Sequence, residues 1–348
     1  MPARFAAIID DTEFAFAVAR VRALETKLLD RQRYERMLDA ASVEDVYKTL
    51  AETEYAEVLS GASDVHQFED ALTRELTRVY TYLGGFVKDR AVLDCLLIRH
   101  DFHNLKVLVK EALLDEPSAP GALYDAGTVA VTNLKDAVAL VFSGENARID
   151  SAYAKCINAA RAAYEASSDP QAIDNVIDAA MYELGCEMAQ QSQSDMLIQL
   201  WQAWADLANA KSFVRAAAFS REPEFLKKVF VPGGVVSPKA LSDVYEPELG
   251  ALEPLISIFQ KTRYAQVVQD GFKDFAQKRS YALYEKLADN YIAKVLEPSK
   301  RVSMGFEPIL AYLLAKENEM RNIRIIFTGK INRLPADAIR ERLRDAYV

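Results

Sequence analysis

Three times in this 348-residue chain an acid, an asparagine and a base recur in one spacing: Asp101-x-x-Asn104-x-Lys106, Asp206-x-x-Asn209-x-Lys211 and Glu319-x-x-Asn322-x-Arg324. At this composition about 0.2 such matches arise by chance, and the three fall at intervals of roughly 110 residues. Upstream of each acid by the same number of residues stands a helix-start signal: Asp89, Ser194, and Glu307 followed by Pro308. Asp and Ser are good N-caps, and proline is favoured at the first helical position. Each motif is therefore predicted to lie about three turns into a helix of some 20–24 residues, about 30–36 Å long.

The rest of the chain agrees with helix. Glycine (13) and proline (12) are scarce, half the residues are apolar and 27% are charged, while alternating runs of β-branched residues are nearly absent, so the sequence predicts an all-α protein. No proline stands between Pro2 and Pro117; Pro117 and Pro120 then mark one break, and Pro223, Pro232 and Pro238 with Gly233 and Gly234 mark a second. These breaks divide the chain into three helical repeat domains of similar size, residues 1–115, 116–220 and 221–348, the last ending in a C-terminal amphipathic helix. The phrase Thr53-x-Tyr55-Ala56 in the first part returns as Thr262-x-Tyr264-Ala265 in the third. The middle part shows no such match.

On a helix the acid and the asparagine are i, i+3 neighbours and share a face, whereas the base points nearly the opposite way. A polar pair among Leu and Val must be hydrogen-bonded where it is buried. The pairs are therefore expected to satisfy polar groups of neighbouring segments and so to fix how each unit packs.

His100 and His103 are the candidate metal ligands, since an i, i+3 pair can chelate. His66 is the only other histidine, and the other two motifs carry Ala205 and Ala208, or Asn318 and Arg321, in the corresponding places. A metal site or a catalytic role for these histidines is the weaker reading. Nucleotide, serine-hydrolase, zinc-protease and dinucleotide motifs are missing; FTGKINRL lacks the first glycine and the hydroxyl of a phosphate loop. In that stretch Gly329 is expected to end the third motif helix and Pro335 to open the last one. No catalytic residue, cofactor, metal or small-molecule substrate is expected. Paired acids such as Asp10-Asp11 and Glu44-Asp45 read as helix starts, where the dipole favours negative charge. Trp201 and Trp204 have core spacing beside leucines. The net charge of −9 and pI near 5.1 argue against nucleic acid as a partner. Cys95, Cys156 and Cys186 read as buried thiols. No stretch reaches the ~18 apolar residues of a membrane span, and the first residues carry no signal-peptide pattern, so any membrane association is expected to be indirect.

FAFAVARVRALETKLLDRQRYERML (14–38), RHDFHNLKVLVKEALL (99–114) and FEPILAYLLAKENEMRNIRIIFTGKINRLPADAIRERL (306–343) resemble the C subunit of prokaryotic V/A-type rotary ATPases, the counterpart of the d subunit of eukaryotic V-ATPases. The likeness spans the chain and is weakest from about 116 to 220; Phe14 and Phe16 depart from it, standing where it leads one to expect tyrosines. It implies three similar helical bundles with pseudo-threefold symmetry around a central funnel-like hollow. It also implies a non-catalytic rotor part linking the central stalk to the membrane proteolipid ring, so that ATP hydrolysis or synthesis is coupled to proton or other ion transport. Such a part would be peripheral, on the cytoplasmic face. The loops after the motif helices, about 115–120, 220–238 and 329–334, are then the expected contact regions. Two alternatives remain open: a generic α-helical repeat adaptor or scaffold, and a helical metalloenzyme using His100 and His103.

Overall fold

The computed structural model describes residues 11–60, 68–119, 121–247 and 252–348; Pro2, Asp10, His66 and Pro120 lie outside them. Among the described residues every regular element is a helix and none is a strand. None of these helices is long and apolar enough to cross a membrane. The chain groups into two compact units, residues 89–272 and residues 11–88 together with 273–348.

In the 89–272 unit the Pro170–Ser192 helix is the hub, packed by Ser151–Ser167, Arg90–Leu114 and Asp195–Ala218. Its start follows from sequence: Pro170 fixes the first turn while the Asp169 side chain accepts from Gln171 N, relieving one of the donors that a helix start leaves unpaired. Gly185 of this helix lies under Trp201, and a Cβ there would overlap the indole; the glycine is present for close packing. Trp201 is buried, and Trp204 meets it edge to face at 5.2 Å.

In the other unit the Glu307–Ile331 helix is central, with Ala15–Glu25, Val43–Ala51, Phe68–Gly84 and Ala282–Leu296 packed about it. Pro308 to Lys316 are all buried, so this helix is a core element rather than a one-sided amphipathic one. Glu44 and Asp45 occupy the first turn of Val43–Ala51 behind the cap Ser42. Phe14 is buried against Phe306 at 5.9 Å, whereas Phe16 is exposed beside Phe86.

The three motif helices begin at Arg90, Asp195 and Glu307 and run 25, 24 and 25 residues. Two expectations are corrected at the end of the third. Gly329 does not terminate it: the helix continues to Ile331, and Gly329 is buried where a Cβ would press within 2.6 Å of Ile339. The last amphipathic segment is helical only over Ala336–Arg340. Ile339 and Leu343 are buried within their own unit, but beyond Arg340 the backbone leaves the helix and gives its polar groups to side chains described below. Cys95 and Cys156 are buried and Cys186 is half-buried. Burial pushes the Cys156 thiol up to about 12 and Cys186 to about 11, which makes them poor nucleophiles at neutral pH.

Candidate functional site

Each motif helix carries a buried polar pair, and each asparagine grips the chain in the same way. Asn104 donates from Nδ2 to Tyr124 O and accepts from Tyr124 N, both at 2.9 Å. Asn209 does the same to Val231 at 2.9 and 2.8 Å, and Asn322 to Arg344 at 3.1 and 2.9 Å. The gripped residue lies 20, 22 and 22 positions after its asparagine. An amide side chain used this way replaces a strand partner, satisfying both main-chain groups of one residue that no helix serves.

The acid one turn before completes the grip. Asp101 accepts from Val129 N at 3.1 Å, Thr128 Oγ1 at 2.5 Å and Tyr153 OH at 2.8 Å. Asp206 accepts from Val235 N at 2.8 Å, Val236 N at 3.2 Å and the Tyr264 hydroxyl. Glu319 accepts from the Leu29 amide, from Tyr55 OH at 2.8 Å and from Lys316 Nζ at 2.7 Å. Each station therefore holds one buried carboxyl, one asparagine, backbone amides and one tyrosine hydroxyl. In the first two, a glycine lets the backbone pass close by: a Cβ at Gly127 or Gly234 would overlap the carboxylate of Asp101 or Asp206.

The tyrosines reveal a pattern missed in the sequence. They stand in Tyr55-Ala-Glu-Val-Leu59, Tyr153-Ala-Lys-Cys-Ile157 and Tyr264-Ala-Gln-Val-Val268, with the last two residues of each buried. The middle part thus does contain the phrase, reduced to Tyr-Ala followed by two apolar positions. Tyr153 and Tyr264 follow the acids they serve by 52 and 58 residues, whereas Tyr55 precedes its own. Tyr55 serves Glu319, 264 residues away.

The bases of the motif behave less uniformly. Lys106 pairs with Asp178 on the hub helix, and the adjacent Lys110 pairs with Asp174 at 2.7 Å. Arg324 Nε donates to both carboxylate oxygens of Glu69, at 2.8 and 2.9 Å. Lys211 is half-buried. Lys316 also lies 3.2 Å from Glu75 Oε1, which Arg78 holds at 2.7 and 2.8 Å; the sequence does not single out these three, because an acid and two bases in helical text look like a solvated face.

Electrostatics separates the stations. Burial pushes the Asp101 carboxyl up to about 6, against the hydrogen bonds donated by Thr128, Tyr153 and Val129. Burial likewise raises Asp206, against Tyr264, Val236 and Val235. Three residues before these acids stand Ile98 and Ala203, whereas Lys316 holds that place before Glu319. A folded-state value above the ordinary 3.8 means that the native protein holds the proton more tightly than the unfolded chain. The stabilisation linked to Asp101 is thus full below about pH 4 and is lost as pH rises through about 6. Between about pH 4 and 7 the wild type should lose about 2 kcal/mol relative to an Asp101→Asn variant. Urea unfolding followed by Trp201 and Trp204 fluorescence, both within the 89–272 unit, reads this; a pH-independent difference between the two proteins would contradict it.

His103 Nε2–H donates to the Ala122 carbonyl at 2.9 Å, and the His100 and His103 rings pack on Tyr124 at 5.3 and 4.8 Å. The histidines thus support the residue that Asn104 grips. Among the described residues no group of three or more His, Cys, Asp or Glu is placed to hold a metal ion.

A family model described as the ATP synthase (C/AC39) subunit matches residues 17–342. The chain is 26% identical to the C subunit of the A-type ATP synthase of Methanocaldococcus jannaschii, with 97% of this chain and 87% of that protein covered. It is 23% identical to the C subunit of the V-type sodium ATPase of Enterococcus hirae, over 94% and 97%. A similar match, 26% over 93% and 85%, is to the C subunit of the A-type ATP synthase of Methanothermobacter thermautotrophicus. In these complexes that protein is an accessory part, not a catalytic one. An all-helical chain that agrees with these proteins from one end to the other belongs to the ATP synthase C/AC39 subunit family.

Proposed function

We propose that this chain is the non-catalytic coupling part of a V/A-type rotary ATPase, joining the central stalk to the membrane proteolipid ring so that ATP hydrolysis or synthesis drives or follows ion transport. In this reading it sits peripherally at the cytoplasmic face. Its residues 1–115, 116–220 and 221–348 are three similar bundles arranged with pseudo-threefold symmetry about a hollow. The motif residues Asp101, Asn104, Lys106, Asp206, Asn209, Lys211, Glu319, Asn322 and Arg324 are its internal braces.

The carrying observation is the family match over residues 17–342. The stations add a physical reason. Torque passes through a part only if it resists shear, and each station ties the middle of a long helix to distant chain by several buried hydrogen bonds. Exposed apolar side chains in two of the loops expected to make contacts, Val235 (63%) and Leu334 (37%), suit them to interfaces of about 1,000 Å² or more.

Reconstituted complexes should test the reading. Without this chain, ATP hydrolysis by the catalytic head should continue while ATP-driven ion uptake into vesicles falls to background; adding the purified chain should restore uptake. A folded chain that binds neither the proteolipid ring nor the stalk in native lipid would overturn it.

A further inference from the structure

The third station differs from the others in what its asparagine holds. Tyr124 and Val231 lie on stretches that run on within a few residues to Val129 and Val235, which donate to the acid, so each stretch is pinned twice. Arg344 lies on a stretch that gives Glu319 nothing; that donor is Leu29. The 341–347 segment is held instead by side chains forming a groove of their own.

The groove reads two successive residues by main chain. Asn322 takes both backbone groups of Arg344. Asn290 Oδ1 accepts from Asp345 N at 2.9 Å, and Asn318 Nδ2 donates to Asp345 O at 3.1 Å. It also reads side chains. Arg344 Nε donates to Asp289 Oδ2 at 2.8 Å with the arginine side chain only 9% exposed. Asn290 Nδ2 donates to Asp345 Oδ2 at 2.7 Å. Tyr347 OH donates to Glu25 Oε1 at 3.2 Å while Lys300 Nζ lies 4.3 Å from its ring centre. Asp289 is itself held by Arg321 at 2.9 Å.

We infer that this groove is a peptide-binding site whose ligand class is an extended segment carrying Arg-Asp-x-Tyr, and that the chain fills it with its own residues 341–347. Main-chain pairing gives such a site grip on any extended backbone, and the Arg, Asp and Tyr contacts give it sequence preference. The segment reaches the groove through the exposed residues 332–334 and the short helix Ala336–Arg340, whose Ile339 is buried in the same unit. That short link supplies an effective concentration on the order of millimolar, so a modest intrinsic affinity keeps the site filled.

The test uses the full chain. Arg344→Ala with Tyr347→Ala loosens the resident segment, and a fluorescein-labelled peptide of residues 340–348 is the probe, read by anisotropy. The double variant should bind saturably and about ten-fold or more tightly than the wild type, whose groove is occupied. Asn290→Ala added to it should weaken binding about ten-fold, and a peptide lacking the Arg and Tyr should not bind. Equal binding to wild type and variant, or no saturable binding by folded variant up to about 1 mM peptide, overturns the inference. If the variant does not fold, a chain otherwise wild type is cut after folding at a protease site inserted between Arg333 and Leu334. The fragment should stay with the body on gel filtration and be displaced by excess synthetic peptide. Loss on dilution to micromolar, or retention against about 1 mM peptide, counts against a reversible site.

Discussion

Replacing Lys316 by methionine should destabilise the unit formed by residues 11–88 and 273–348 by about 3–5 kcal/mol. Lys316 is 3% exposed, and its Nζ lies 2.7 Å from Glu319 Oε1, 3.2 Å from Glu75 Oε1 and 4.1 Å from the Tyr55 ring centre. Glu75 is fully buried and keeps a second cation, Arg78, at 2.7 and 2.8 Å. Among the described residues Glu319 has no other cation in contact, so the substitution leaves its charge facing only a hydroxyl and an amide. Methionine preserves the apolar stem, and the loss therefore reports the charge rather than the packing. Adding Glu319→Gln should recover most of it, because a neutral side chain at the acid position needs no cation. A urea-midpoint shift equivalent to less than about 1 kcal/mol for the single variant would mean that the pair is hydrated.

The second large effect is expected at Asn209. Asn209→Leu strands the amide and carbonyl of Val231, both buried, and each unpaired group costs about 1–3 kcal/mol, for a total of roughly 2–5 kcal/mol. Asn104→Leu and Asn322→Leu should cost less, since Tyr124 and Arg344 are half-buried and water can replace the lost partner. The ranking, rather than any single value, is the test. Equal losses at all three positions in chemical denaturation would show that hydration does not set the scale.

Local chemistry made much of this architecture readable. The helix starts at Asp89, Ser194 and Glu307 and the polar pairs about three turns on lie close together in sequence, where periodicity and capping act. The pairing of acids with tyrosines was not readable, because those hydrogen bonds join residues 52, 58 and 264 apart. Tyr55 and Tyr264 were visible as kin through the shared Thr-x-Tyr-Ala, yet nothing local says that each serves a helix from another part of the chain. Tyr153 escaped because its segment keeps only Tyr-Ala. Gly329 was misread for a related reason: a glycine near a helix end looks like a terminator unless Ile339, which fills the space, is known to lie there. The shortened last helix follows the same logic, its backbone being committed to Asn322, Asn318 and Asn290 rather than to its own turns.

The grip of Leu29 and Tyr55 on Glu319 spans 290 and 264 residues, and this sets a timetable at the ribosome. At about 5–20 residues per second, the early helices wait roughly 13–53 s for the helix that will bury them. Throughout that interval their apolar faces are open, while the stretch between 89 and 272 already has all of its own partners in hand. Nascent chains should therefore acquire protease resistance in the middle first and at the two flanks last, together, in a single step.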